Sequence, residues 1–201
     1  MNLPNKLTVI RILLVPVMCI IPFLGIQGNI LNIPISFIIM NAIFIIASIT
    51  DKLDGYLARS RNQVTNFGKF LDPIADKILV LAAMLILVEA GNLPAWIPII
   101  VLTREFVVSA YRLIAVEQGG KVIAASNWGK LKTVTQMIAI ILAFININGT
   151  NIFFAFVNNT YVGLELVVNM LTSVMMLISV VATVFSGWDY IKGGKDLLKD
   201  R

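Results

Sequence analysis

An all-α membrane protein with six spanning helices and both termini on the cytoplasmic side is the fold class this chain predicts. Three observations carry that expectation. The composition is 58% hydrophobic and only 13% charged over 201 residues, with a mean hydropathy of +0.89, more apolar than soluble domains tolerate. Six apolar runs, each near the ~20 residues that cross a hydrocarbon core, occupy about 7–26, 33–57, 72–90, 94–117, 130–147 and 161–188. The stretches between them alternate sharply in positive charge.

The first run follows Lys6 and Arg11 and is interrupted by Pro16 and Pro22. No Ala-x-Ala-like site closes it, so it is expected to stay as a membrane helix and not to be cleaved as a signal peptide. The loops at 25–33, 89–94 and 148–160 contain no Lys or Arg. The other stretches carry Arg59, Arg61 and Lys69, then Arg112, Lys121, Lys130 and Lys132, then Lys192, Lys195, Lys199 and Arg201. By the positive-inside rule the basic stretches and both termini lie on the cytoplasmic face. No repeat or low-complexity linker divides the chain, so residues 1–201 are expected to form one domain. The net charge of +5 is accounted for by this topology and by attraction to anionic lipid, and no nucleic-acid partner is expected. Trp96, Trp128 and Trp188 lie near segment ends, as interfacial aromatics do.

Chemistry concentrates at the junction of the second and third runs. Asp51, Asp54, Asp72 and Asp76 fall within 26 residues there. Asp51 and Asp54 are spaced i, i+3, about 60° apart on one helical face, and Asp72 and Asp76 are spaced i, i+4, about 40° apart. A polar loop joins the pairs, so their helices are antiparallel neighbours whose acidic faces can converge. A carboxylate inside a membrane costs about 2.5–3.5 kcal/mol at mid-helix, and four at one point repel unless cations bridge them. The chain has no His and a single Cys, Cys19. That removes imidazole as base or ligand and leaves oxygen ligands, which suit Mg²⁺ or Mn²⁺. Two such ions would also bind a pyrophosphate, which points to an enzyme acting on a phosphorylated substrate at the membrane surface. Gly55 and Gly68 leave room for close approach, and Arg59 suits phosphate oxygens. A plainer reading of Asp72 and Asp76 is that they sit at the positive N-terminal end of the third helix.

The pattern Asp-x2-Asp-Gly-x2-Ala-Arg-x8-Gly-x3-Asp-x3-Asp, formed by Asp51, Asp54, Gly55, Ala58, Arg59, Gly68, Asp72 and Asp76, resembles the motif of the CDP-alcohol phosphotransferases without departure. The resemblance implies six membrane helices, a homodimer and a site on the cytoplasmic face. It implies transfer of a phosphatidyl or similar group from a CDP-linked donor to an alcohol, with release of CMP. Asp51, Asp54 and Asp72 would hold two divalent cations, Mg²⁺ or Mn²⁺. Asp76 would assist them and act as base toward the acceptor hydroxyl. Gly55, Ala58 and Arg59 would contact the CDP moiety.

Arg104 lies inside the fourth apolar run beside Glu105, with Arg112 eight residues on and Lys121, Lys130 and Lys132 following. A basic pocket for an anionic acceptor is one reading. An internally paired arginine with topology-setting charges is the other. The stretches Asn5–Arg11 (with Thr8), Thr103–Phe106 with Arg112, and Gly129–Thr133 with Gln136 are similar to family members that use glycerol 3-phosphate. That similarity implies CDP-diacylglycerol as donor, glycerol 3-phosphate as acceptor, and Arg104, Arg112, Lys130 and Lys132 near the acceptor phosphate. Thr8 would lie near the donor head group, with helix capping as the plainer alternative. Inositol phosphate, serine or another acceptor, and a cation transporter using the four Asp as a relay, are the competing expectations.

Overall fold

The computed structural model of the chain describes residues 2–60, 66–117, 127–145, 153–154, 157 and 161–193. The side chains at 3–4, 52–59, 66–67, 69–70 and 116–117 lie outside that description. Among the described residues the architecture is helical: α1 Leu3–Ile20, α2 Ile35–Ser60, α3 Asn66–Glu89, α4 Trp96–Glu117, α5 Asn127–Phe144 and α6 Leu164–Gly193. A short 3₁₀ turn, Ile21–Leu24, extends α1, and two-residue strands β1 (Asn29–Ile30) and β2 (Ile33–Pro34) precede α2.

Each helix coincides with one expected apolar run, and the differences have local causes. Pro4 enters α1 in its first turn, where a missing N–H is not needed. Helix α3 begins at Asn66, before the apolar run, because the polar stretch ahead of Asp72 is already helical. It ends at Glu89, and Gly91 just beyond has a φ of 75°, the left-handed conformation that glycine adopts without steric cost. The amides of Asn92 and Leu93 then return to the Leu87 carbonyl. Residues 29–34, expected as the end of a loop and the first two positions of the second apolar run, form an antiparallel hairpin pairing Asn29 with Pro34 and Ile30 with Ile33. Leu31 and Asn32 turn it with φ of 53° and 62°, the twist that suits a two-residue hairpin loop although no glycine is present.

Helices α5 and α6 pack most closely, α1 lies on α2 and α3, and α4 lies on α6. The buried face of α6 is made of small and polar residues, among them Thr172, Ser173, Ser179, Ala182, Thr183, Ser186 and Gly187. Such residues let two helix backbones approach closely without a greasy seam. The core proper joins Met18 of α1, Phe44 of α2, Leu79, Met84 and Leu87 of α3, Ile97 of α4, and Ile140 and Phe144 of α5. Large apolar side chains also cover the outside. Ile10, Leu13, Val17 and Ile20 of α1 and Val167, Leu171, Val174, Val181 and Val184 of α6 are all exposed, while Thr8, Arg11, Ser173 and Ser186 are buried. Buried polar groups beside the apolar core, together with an extensively apolar exterior, depart from the arrangement of a soluble domain. Two helical stretches, Asn5–Leu24 and Leu164–Gly193, are long and apolar enough to cross a membrane, and Ile35–Asp51 is a shorter apolar helix.

Candidate active site

The acidic half of the site is built by α2 and α3 and closed by α1. Asp51 lies on α2, and its Oδ1 accepts a 2.7 Å bond from Nη1 of Arg11. Nε of Arg11 donates to the carbonyl of Ala47, one turn before Asp51, at 3.2 Å. Arg11 is wholly buried. Asp72 lies on α3, and its Oδ1 accepts a 2.7 Å bond from the hydroxyl of Thr8. Thus α1 touches both acid-bearing helices. Asp76 follows one turn after Asp72 and is half-buried. The charged groups acting on it are Asp51, Lys132, Arg11 and Glu105. Gly68 is buried near the start of α3. Asp54, Gly55, Ala58 and Arg59 lie in the helical backbone of α2, but their side chains are outside the described residues.

Asp72 and Asp76 stand beyond the first turn of α3, which holds no acidic residue. The helix dipole acts within the first turn, so it does not account for them. Among the described residues no three acidic side chains gather closely enough to hold a metal ion. The donor chemistry nevertheless fits a hard divalent cation. The acids on these facing helices are carboxylates, with neither His nor thiolate among them. The bonds from Arg11 and Thr8 use Oδ1 of Asp51 and of Asp72 and do not involve Oδ2.

A basic half lies beside it. Glu105 of α4 is its hub: Oε1 accepts from Nζ of Lys132 at 2.7 Å and from Nη1 of Arg104 at 2.8 Å, and Oε2 stands 3.6 Å from Nζ of Lys77. Lys77, the residue after Asp76, also donates to Oγ of Ser109 at 2.6 Å. Arg104 reaches α6, where Nη2 bonds Oγ of Ser186, while its Nε is buried without a partner among the described residues. It runs alongside Gly187, where a Cβ would stand 3.4 Å from Cγ of Arg104, at van der Waals contact. Arg112 donates to the hydroxyl of Tyr190 at 2.7 Å. Its guanidinium lies 5.4 Å from the tyrosine ring centre, and that of Arg104 lies 5.9 Å away.

The structure therefore brings Arg104 and Lys132 together on Glu105 and places Arg112 next to them through Tyr190. Lys130 is exposed and, two residues from Lys132, lies on another face of α5. Lys77, Ser109, Ser186 and Tyr190 are members of this cluster that sequence reasoning missed. Only Lys77 carried a signal, its position directly after Asp76. Asp76 lies within electrostatic reach of Asp51 and Arg11 in the acidic half and of Lys132 and Glu105 in the basic half.

The chain is similar to known proteins over most of its length. Residues 1–185 match the family model described as CDP-alcohol phosphatidyltransferase. A CDP-diacylglycerol–glycerol-3-phosphate 3-phosphatidyltransferase of Bacillus subtilis is 41% identical over 203 residues, covering 98% of this chain and 97% of the relative. The Haemophilus influenzae protein of the same name is 44% identical over 143 residues, covering 69% and 73%. A probable phosphatidylglycerophosphate synthase of Mycobacterium tuberculosis is 37% identical, covering 94% and 80%. The match across most of its length shows that this chain belongs to the CDP-alcohol phosphatidyltransferase family.

Proposed function

We propose that the chain transfers the phosphatidyl group of CDP-diacylglycerol to glycerol 3-phosphate, giving phosphatidylglycerol phosphate and CMP. The observation that carries this reading is the basic cluster gathered on Glu105, whose member Lys77 directly follows Asp76 in α3. In the basic cluster Lys77, Arg104 and Lys132 face the single carboxylate of Glu105. The surplus of two positive charges matches the roughly −1.5 to −2 of a phosphate monoester at pH 7. A neutral or zwitterionic acceptor such as serine would leave that surplus uncompensated in a largely buried place.

Asp51, Asp54, Asp72 and Asp76 are assigned to hold two divalent cations, Mg²⁺ or Mn²⁺. Bound there, the ions would neutralise the pyrophosphate of the donor. Gly55, Ala58, Arg59, Gly68 and Thr8 are assigned to the donor side, and Arg104, Arg112 and Lys132 to the acceptor phosphate, with exposed Lys130 at its approach. The acceptor hydroxyl oxygen attacks the phosphatidyl phosphorus. The bond from that phosphorus to the CMP oxygen breaks, CMP leaves with the bonding pair, and the hydroxyl proton passes to Asp76. Phosphoryl-type transfer is mostly a matter of alignment and charge neutralisation, which is what an acidic and a basic cluster side by side provide.

The exposed apolar faces of α1 and α6 and the positions of Lys and Arg in the sequence support six membrane spans, both termini in the cytoplasm and the site on that face of the cell membrane. A homodimer is the arrangement expected from the family. Detergent-purified protein given CDP-diacylglycerol with glycerol 3-phosphate, inositol phosphate or serine provides the test. CMP release is expected only with glycerol 3-phosphate and is expected to stop on chelation. Preference for an uncharged alcohol, or metal flux through liposomes without CMP release, contradicts the proposal.

A further inference from the structure

The inward face of α1 changes character along its length. Asn5, Thr8, Arg11, Val15 and Met18 are all buried and recur at the three- to four-residue spacing of one helical face. The last two join the apolar core, whereas Thr8 and Arg11 reach the carboxylates of two other helices. The threonine bond spans two helices. Thr103, Thr133, Thr135, Thr172 and Thr183 each donate to the carbonyl four residues back in their own helix, the usual habit of helical threonine. Thr8 also reaches across 64 positions of sequence, donating to Asp72. Arg11 is likewise doubly tied to α2, at the Ala47 carbonyl and at Asp51, which fixes the position of its guanidinium. A carboxylate turns easily about its terminal bond, and one short bond to a fixed donor sets its plane.

We infer that the start of α1 is the orienting shell of the carboxylate centre, with Thr8 setting Asp72 and Arg11 setting Asp51 as positioning residues. This rests on the proposed divalent-cation site. Because α1 bonds carboxylates of both α2 and α3, it bears on the spacing between the two acid-bearing faces. Partners of this kind typically alter metal affinity about 10- to 100-fold when removed.

The test is Mn²⁺ binding to full-length protein in detergent, without nucleotide or acceptor, read from the electron paramagnetic resonance of free Mn²⁺. Thr8→Val keeps the side-chain volume and deletes the hydroxyl, and Thr8→Ser keeps the hydroxyl. The valine variant is expected to bind Mn²⁺ about 10-fold or more weakly, and the serine variant close to wild type. Wild-type affinity in Thr8→Val overturns the inference, as does equal weakening in both variants, because a packing defect would explain it. Should Thr8→Val fail to fold, Arg11→Lys keeps the charge but not the two-point attachment. It is expected to weaken Mn²⁺ binding to a similar degree, and undiminished binding overturns the inference. Wild-type protein that binds no Mn²⁺ overturns the cation site itself, and the inference with it.

Discussion

At the scale of single residues, Asp76 and the basic cluster make separable predictions. Asp76→Asn retains shape and polarity but not the charge that accepts a proton. A general base typically contributes about 10²- to 10⁴-fold, so turnover is expected to fall by at least about that lower factor while folded yield is kept. Steady-state CMP release beside a thermal melt checks it. Lys132→Met removes the cation that bonds Glu105 at 2.7 Å while keeping an apolar stem. Its expected effect is a rise of about 10-fold or more in KM for glycerol 3-phosphate, since a charged hydrogen bond contributes roughly 1.5–3 kcal/mol. KM for CDP-diacylglycerol is expected to stay near wild type. Equal loss for both substrates would remove Lys132 from the acceptor side. The Arg104–Ser186 bond concerns stability: Nε of Arg104 already lacks a partner among the described residues, and Ser186→Ala would orphan Nη2 as well. A buried orphan costs about 1–3 kcal/mol, to be read as a lowered melting midpoint.

At the scale of elements, the α5–α6 seam depends on small side chains. Ala182 is fully buried on the inward face of α6, whereas Val184, two residues on, is exposed. Ala182→Leu forces extra volume into a closed seam and is expected to destabilise by about 1–3 kcal/mol. Val184→Leu should leave the melting midpoint unchanged. The helices themselves were legible from apolar runs and charge alternation, and the acid spacings within α2 and α3 placed each pair on one face. The early start of α3 was not legible, because a polar helical turn has no apolar signature. The hairpin at 29–34 was equally hidden, since Leu31 and Asn32 lack the glycine that usually marks such a turn. That early start matters for function. It moves Asp72 and Asp76 away from the helix end, where the dipole would have explained them without any ligand.

At the scale of the whole molecule, the exposed apolar belt and the one-sided distribution of Lys and Arg predict an orientation. In a Cys19→Ser background, Val162→Cys before α6 should react with an impermeant thiol reagent from outside the cell. Lys192→Cys, at the other end of α6, should react only in inverted vesicles. The reverse pattern would contradict the proposed topology. Glu105 shows best which contacts come from assembly. Its partners Lys77 and Lys132 lie 28 and 27 residues away in sequence on other helices, and Arg104 continues to Ser186, 82 residues on.

The sequence by itself determined the helical class, the apolar lengths, the charge asymmetry and the acid motif, because each is a periodicity or spacing within one segment. Only the tertiary structure decided that Thr8 and Arg11 hold the acids of α3 and α2, that Glu105 gathers three cations, and that Lys130 stays outside that group. The physical reason is that helical periodicity fixes which side chains share a face. Which face meets which neighbour is set by the fit of small residues, buried polar bonds and volume across helices far apart in the chain.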